Sequence, residues 1–143
     1  MNWLADKIEQ WPTAKLLPYA RNARTHSKEQ VAQIAASIAE FGFTNPILAG
    51  SDGIIVAGHG RLAAAQKLGL ERVPVVVLDH LSQTQRRALV IADNRIAENA
   101  GWDDAMLRIE LEALQLDGFN LDITGFDADA LAELIAGDEP DNE

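Results

Sequence analysis

The chain contains no cysteine, which excludes a disulfide framework, a thiolate metal site and a cysteine nucleophile. Nor does it contain an apolar run approaching the ~20 residues that cross a bilayer. Its first residues, MNWLADKIEQW, carry acids early and lack the apolar core of a signal peptide. These absences together predict a cytoplasmic protein with no membrane partner. Positive charge is missing from one end. Residues 109 to 143 hold 11 acids and no base, whereas residues 1 to 108 hold all 12 Lys and Arg against 11 Asp and Glu. Broad nonspecific binding to DNA needs a strong positive field. The net charge of −10 misleads if taken whole, since the front is nearly neutral, but the asymmetry argues against such binding, and the acidic end is suited to repelling nucleic acid or docking on a basic partner.

The most informative segment present is GIIVAGHGRLAAAQKLG, residues 53 to 69. Ile54, Ile55 and Val56 read as a buried strand, broken at Ala57-Gly58-His59-Gly60 and passing into Arg61 and an alanine-rich helix that ends at Gly69. Two glycines at a strand-to-helix turn allow close approach of a ligand to the backbone. The first amides of the helix lack intrahelical partners, and the helix dipole is positive there. Arg61 adds a planar donor fork. Turn, amides and arginine form a candidate phosphate site, although the same glycines also serve as ordinary turn punctuation. The segment is neither the lysine-bearing phosphate loop nor the dinucleotide fingerprint.

The remaining pattern is α+β, a small mixed sheet in the first half with helices behind it. Ile8 to Leu17 reads as an extended segment demoted by Pro12, followed by a polar loop, YARNARTH, at Tyr19 to His26. Ser27 and Gln30 have capping-box spacing ahead of a helix that stops at Gly42. Pro46 to Ala49 and Ile54 to Val56 form a hairpin around Ser51-Asp52-Gly53, and Val73 to Leu78 is a further strand. Ser82 and Gln85 open a long helix to about Asn99, with Leu89, Ile91 and Ile96 serving the core. Trp102-Asp103-Asp104 opens another helix, with Met106, Leu107, Leu111 and Leu114 on one face, and a last helix covers Asp127 to Ile135. The tail GDEPDNE lacks apolar residues and is expected to be disordered. The chain thus divides into 1–100, an acidic helical extension at 101–136, and a tail at 137–143.

The long helix carries Asp93, Asn94, Arg95 and Glu98 at its middle. Asp93 or Asn94 with Glu98 lie about a turn apart. Oxygen ligands at that spacing suit magnesium, which takes few carboxylates and completes its shell with water and phosphates. A solvated face with Arg95 paired to an acid explains the same residues. Trp3 and Trp11 read as cover for the core edge. Arg21, Arg24, Arg61, Arg86 and Arg87 are the residues available to DNA phosphates.

Three ordered segments resemble the ParB N-terminal, or ParB/sulfiredoxin, domain. They are LLPYARNARTHSKEQVAQIAASIAEFGFTNPILAG, GIIVAGHGRLAAAQKLGLERVPVVVL and the ADNRIAEN helix. The variant with GHGRLAAA and an acidic end looks most like the domain at the front of phage and bacterial DNA-modification methylases, although these 143 residues hold no methyltransferase core. The resemblance implies a nucleotide-phosphate fold in which CTP, or ATP, with Mg2+ lies across a glycine–arginine turn and a later helix. Carried over by position, Gly58, His59, Gly60 and Arg61 form the turn, and Asn22 and Arg24 match an Asn-x-Arg after the first strand. Asn45-Pro46 resembles the segment preceding the second strand. Asp93 and Asn94 fall where the acid and asparagine of the later helix stand, with Arg95 adjoining, and Glu98 is added to the metal set by its spacing alone. Arg21, Arg24, Arg86 and Arg87 remain for DNA.

The pattern also departs from the family. His59-Gly60-Arg61 stands where partitioning proteins carry Glu-Arg-Arg, so one arginine is missing, a charge-assisted contact of about 1.5–3 kcal/mol. Sulfiredoxin-like catalysis needs a cysteine in this turn and is excluded. The helix-turn-helix domain of partitioning proteins has no recognisable counterpart. The leading reading is a nucleotide-binding accessory module of a DNA-modification system. Its partners are a nucleotide, DNA, a second copy in a homodimer, and a methyltransferase domain or protein. The alternatives are an NTPase, phosphotransferase or nuclease of the same fold, and a protein-interaction domain with a vestigial pocket.

Overall fold

A computed structural model describes residues 8–22 and 25–136. Arg24, Trp3 and the tail 137–143 lie outside the described residues. The elements run β1 (Ile8–Pro12), α1 (Lys28–Phe41), β2 (Ile47–Ala49), β3 (Ile55–Ala57), α2 (His59–Leu68), β4 (Arg72–Val77), α3 (Gln83–Asn99), α4 (Asp104–Leu116) and α5 (Ala128–Ala136). Short 3-10 turns occupy Thr13–Lys15 and Leu121–Thr124. The chain forms two compact units, residues 1–99 and 100–143.

In the first unit the sheet order is β1-β4-β2-β3. β1 pairs antiparallel with β4, β4 runs parallel to β2, and β2 and β3 form the antiparallel hairpin. β1 is an edge strand, which is how its last residue, Pro12, is tolerated. Alternation along the strands gives the sheet two apolar faces. Val73, Val75 and Val77 join Ile47, Ala49 and Ile55 beneath Leu62 and Ala65 of α2, with Trp11 buried at the margin as cover for the core. Val56 and Val76 point the other way, to Val90 of α3 and to Leu78. One helix on each face therefore brings the start of α2 and the middle of α3 around the end of β3.

Capping decides the helix starts. Ser82 and Gln85 form the full reciprocal box expected, at 2.8 and 3.1 Å. At α1 only half of the box forms. Ser27 Oγ accepts the Gln30 amide at 3.0 Å, but the Gln30 side chain pairs with His26 Nδ1 at 3.0 Å.

Ile91 and Ile96, expected in the core, are 66% and 69% exposed. Val90 is the buried residue of α3, supported by Leu89. With Val90 directed at the sheet, a 100° advance per residue carries Ile91 and Ile96 off that face.

The second unit packs Leu107, Leu111 and Leu114 of α4 against Leu121, Phe126, Leu131 and Leu134. Its caps are Asp103, which accepts the Met106 amide at 3.1 Å, and Asp127, which accepts the Ala130 amide at 2.8 Å. Met106, expected with the leucines, is 56% exposed, because one residue of offset from Leu107 turns it to the far side.

Candidate functional site

β3 ends at Ala57, and Gly58 turns the chain at φ +106° into α2. The sequence pattern places the helix after Arg61, but it begins at His59. The first backbone bond of the helix is Leu62 N–H to the Gly58 carbonyl, at 2.9 Å. His59, Gly60 and Arg61 are therefore its first three residues, whose amides have no acceptor within the helix. Both glycines of the corner are sterically enforced. A Cβ on Gly58 would stand 3.1 Å from Ile47 Cγ1 and 3.2 Å from Arg61 Nε. One on Gly60 would stand 2.9 Å from Ile34 Cδ1 and 3.0 Å from the His26 ring.

A cavity of about 220 Å3 opens at this corner. Its wall includes Asn22, His26 and Gly58 to Arg61, with Asp93, Asn94 and Ala97 from α3. Arg61 Nη2 donates to the Pro46 carbonyl at 3.1 Å, which fixes the guanidinium just before the start of β2. Arg61 Nε is buried and has no hydrogen-bond partner among the described residues. Burial disfavours the charged form of this guanidinium, and the nearby Asp93 carboxylate offsets part of that cost. A buried donor without a partner costs about 1–3 kcal/mol.

His59 is engaged differently. Its Nε2 accepts the Tyr19 backbone N–H at 3.0 Å. Burial, with a smaller contribution from His26, pushes its pKa below the ordinary 6.5, so the ring is neutral at pH 7. An accepting Nε2 assigns the proton of the neutral ring to Nδ1.

A larger cavity of about 660 Å3 adjoins the first through the shared Asn22 and Asn94. Tyr19 and Arg21 from the polar loop line it with Arg87, Arg95 and Glu98 of α3. The positions 87, 91, 94, 95 and 98 recur at helical spacing and present one continuous strip. Asn94 Nδ2 donates back to the Val90 carbonyl at 2.7 Å, which leaves Oδ1 as its outward acceptor.

The structure thus gathers Asn22, Gly58 to Arg61, Asp93 and Asn94 around one cavity, and Arg21, Arg87, Arg95 and Glu98 around the next. It does not join Asp93 and Glu98. Five residues on a helix separate side chains by about 140°, and Glu98 Oε2 instead meets Arg95 Nη1 at 3.3 Å. Arg86 is withdrawn from the DNA set, because its fork holds Asp52 through two bonds of 3.0 Å. That pairing raises the pKa of Arg86 and lowers that of Asp52. Among the described residues no group of three His, Asp or Glu is placed to hold a metal, and no helix is long and apolar enough to cross a membrane. Sequence reasoning missed the Pro46 carbonyl and the Tyr19 amide. Both are backbone groups and leave no mark in residue type.

The architecture is a four-stranded mixed sheet with a glycine–arginine corner set against an acid–asparagine helix. The chain belongs to the ParB N-terminal domain family, whose model matches residues 4–95. A second model, the ParB-methyltransferase HTH domain, matches residues 105–143. This corrects the expectation that no helix-turn-helix counterpart follows the sheet. The segment's acidic composition lacks the net basic charge by which such a domain is sought in a sequence.

Among curated proteins, the ParB-like nuclease domain-containing protein YnaK of Escherichia coli K12 is 53% identical over 81 residues, 57% of this chain and 93% of its own length. The probable chromosome-partitioning protein ParB of Treponema pallidum is 39% identical over 82 residues, 53% of this chain and 24% of its own length. The chain therefore spans about a quarter of that partitioning protein. Truncated Caulobacter crescentus ParB complexed with CTP-gamma-S superposes with a TM-score of 0.72 at 23% identity, over 90% of this chain and 77% of that one. The same protein complexed to the centromeric parS site gives 0.50 at 22% identity, over 89% and 70%. At these identities the likeness shows the fold.

Proposed function

We propose that this chain binds a nucleoside triphosphate, with its phosphates at the Gly58–Arg61 corner, as an accessory module of a DNA-modification or other DNA-associated system. The observation that carries the reading is the convergence of the Gly58–Gly60 turn, Arg61 and the first residues of α2 with Asp93 and Asn94 on one cavity. The second cavity, joined through Asn22 and Asn94, provides room for the nucleoside. Asp93 and the Asn94 carbonyl oxygen fit a magnesium ion held mainly by phosphates, since one carboxylate and one amide suffice for it. The ion would neutralise phosphate charge that a single arginine leaves uncompensated. The CTP-gamma-S bound by the Caulobacter relative favours the same ligand class.

The match of 105–143 to a ParB-methyltransferase HTH domain favours a modification system as the setting. Arg21 and Arg87 line the second cavity, and we assign to them any contact with DNA phosphates at its rim, Arg86 being held by Asp52. A nuclease has less support, because His59 spends its accepting nitrogen on the Tyr19 amide and is not free as a base.

Calorimetric titration of CTP, ATP and GTP with magnesium, on wild type and on Arg61→Ala, tests the reading. Micromolar binding of a nucleotide, weakened about tenfold or more in the variant, is expected. Absence of heat with all three nucleotides at protein concentrations well above micromolar would overturn it. Release of inorganic phosphate during the titration would instead favour the NTPase.

A further inference from the structure

α4 carries two apolar strips. The inner one, Leu107, Leu111 and Leu114, is packed within its unit. The outer one consists of Met106, Ile109, Ala113 and Leu116, spaced three, four and three residues apart, which is the interval of a coiled-coil seam. Its members are exposed, Met106 and Ile109 at 56% and Leu116 at 88%. On a helix they fall within an arc of about 80°, nearly opposite the leucines. Three large apolar side chains in register on one helix form a patch of the kind that marks a contact surface.

What borders the strip determines its occupant. Glu110 and Asp117 stand along one edge, and Ala105 and Glu112 along the other. No base borders it. The unit as a whole, residues 100–143, holds 13 Asp and Glu against one Arg. That arginine, Arg108, is turned away to the Leu134 carbonyl, which its Nε meets at 2.9 Å. A second copy of α4 would bring Glu110, Glu112 and Asp117 against the same acids of its partner, the arrangement that discriminates against self-pairing in coiled coils. DNA is opposed by the same charges.

We infer that the outer strip of α4 is a docking surface for an amphipathic helix of a different protein, one that borders its apolar residues with Lys or Arg. Apolar burial along Met106, Ile109 and Leu116 supplies affinity, and the acidic borders supply orientation and exclude acidic partners and self. This inference is independent of the nucleotide cavity, which lies wholly within residues 1–99.

The test uses the full chain and two fluorescent three-heptad helical probes, identical at their leucine seam. One carries Lys at the flanking positions and the other Glu. Fluorescence anisotropy is expected to show the Lys probe binding and the Glu probe at least about tenfold weaker. Ile109→Gln with Leu116→Gln weakens the Lys probe by a similar factor. Both side chains are exposed, so unchanged circular dichroism and thermal melting confirm that the fold survives. Equal binding of the two probes overturns the inference. Undiminished Lys-probe binding to the double variant also overturns it, since adhesion would then be to acidic surface in general. So does a homodimer, seen by sedimentation, that the double variant abolishes, because the occupant would then be a second copy.

Discussion

Arg86 grips Asp52 with both arms of its guanidinium, Nη1 to Oδ2 and Nη2 to Oδ1, each at 3.0 Å. The pair ties the first turn of α3 to the β2–β3 turn, and Arg86 Nη2 also approaches the Ile54 carbonyl at 3.4 Å. A Cβ on Gly50 would fall 2.7 Å from that same nitrogen, so the glycine makes room for the clamp. The clamp anchors the helix that carries Asp93 and Asn94 beside the Gly58 corner.

Breaking the clamp should cost stability without abolishing the fold. Asp52 is 47% exposed and Arg86 21% exposed, so partial solvent screening limits Arg86→Ala to about 1 kcal/mol in urea denaturation. Asp52 has its pKa lowered from 3.8, chiefly by the bond from Arg86. A depressed carboxylate stabilises the fold fully above its unfolded value and loses that contribution as pH falls through its folded value. The stability difference between wild type and Asp52→Asn should therefore be flat at neutral pH and shrink below about pH 4.

Gly58→Ala should disturb both the fold and the site. At φ +106° a Cβ is strained, at a cost of about 1–2 kcal/mol, and it would press on Arg61 Nε and Ile47 Cγ1. Thermal unfolding should shift down, and anion binding should fall with it. Gly60→Ala separates the two causes, because its penalty comes from contact with Ile34 and His26 without a left-handed backbone.

His59 gives the chain a second pH dependence. Its pKa is lowered by burial, so the unfolded state takes up a proton near pH 6.5 while the folded state does not. Stability from this group is full above that value and declines as pH falls below it toward the folded pKa. Urea midpoints between pH 8 and pH 5 should show the decline in wild type and a smaller one in His59→Gln. Proton NMR should place the His59 titration below 6.5.

Asp93 and Glu98 should separate in magnesium dependence. Asp93→Asn removes the carboxylate on the corner cavity and should weaken magnesium-dependent nucleotide binding about tenfold. Glu98→Gln should change it little, since Glu98 faces Arg95 across an exposed 3.3 Å contact. Calorimetry with and without magnesium distinguishes the two, and equal losses in both variants would restore Glu98 to the metal set.

Much of the fold was legible because local chemistry writes it. Ser82 and Gln85 announced α3, Gly42 and Gly69 ended their helices, and Asp52-Gly53 marked the hairpin, since capping and turn residues act within a few positions of themselves. The corner at Gly58 to Arg61 and its pairing with Asp93 and Asn94 were visible as types in order. The sequence alone also determined the charge division between the first 108 residues and the rest.

Tertiary structure decided which side of each helix is used and what each polar group spends its bonds on. Periodicity admits either Val90 or Ile91 as the core residue of α3, and only packing against Val56 and Val76 selects Val90 and directs Asn94 into the cleft. Glu98 leaves Asp93 for Arg95, Arg86 is taken by Asp52, and His59 is taken by the Tyr19 amide across 40 residues of chain. Composition cannot foresee these commitments, because a side chain's partner is set by which distant backbone and charges the sheet brings within about 3 Å of it.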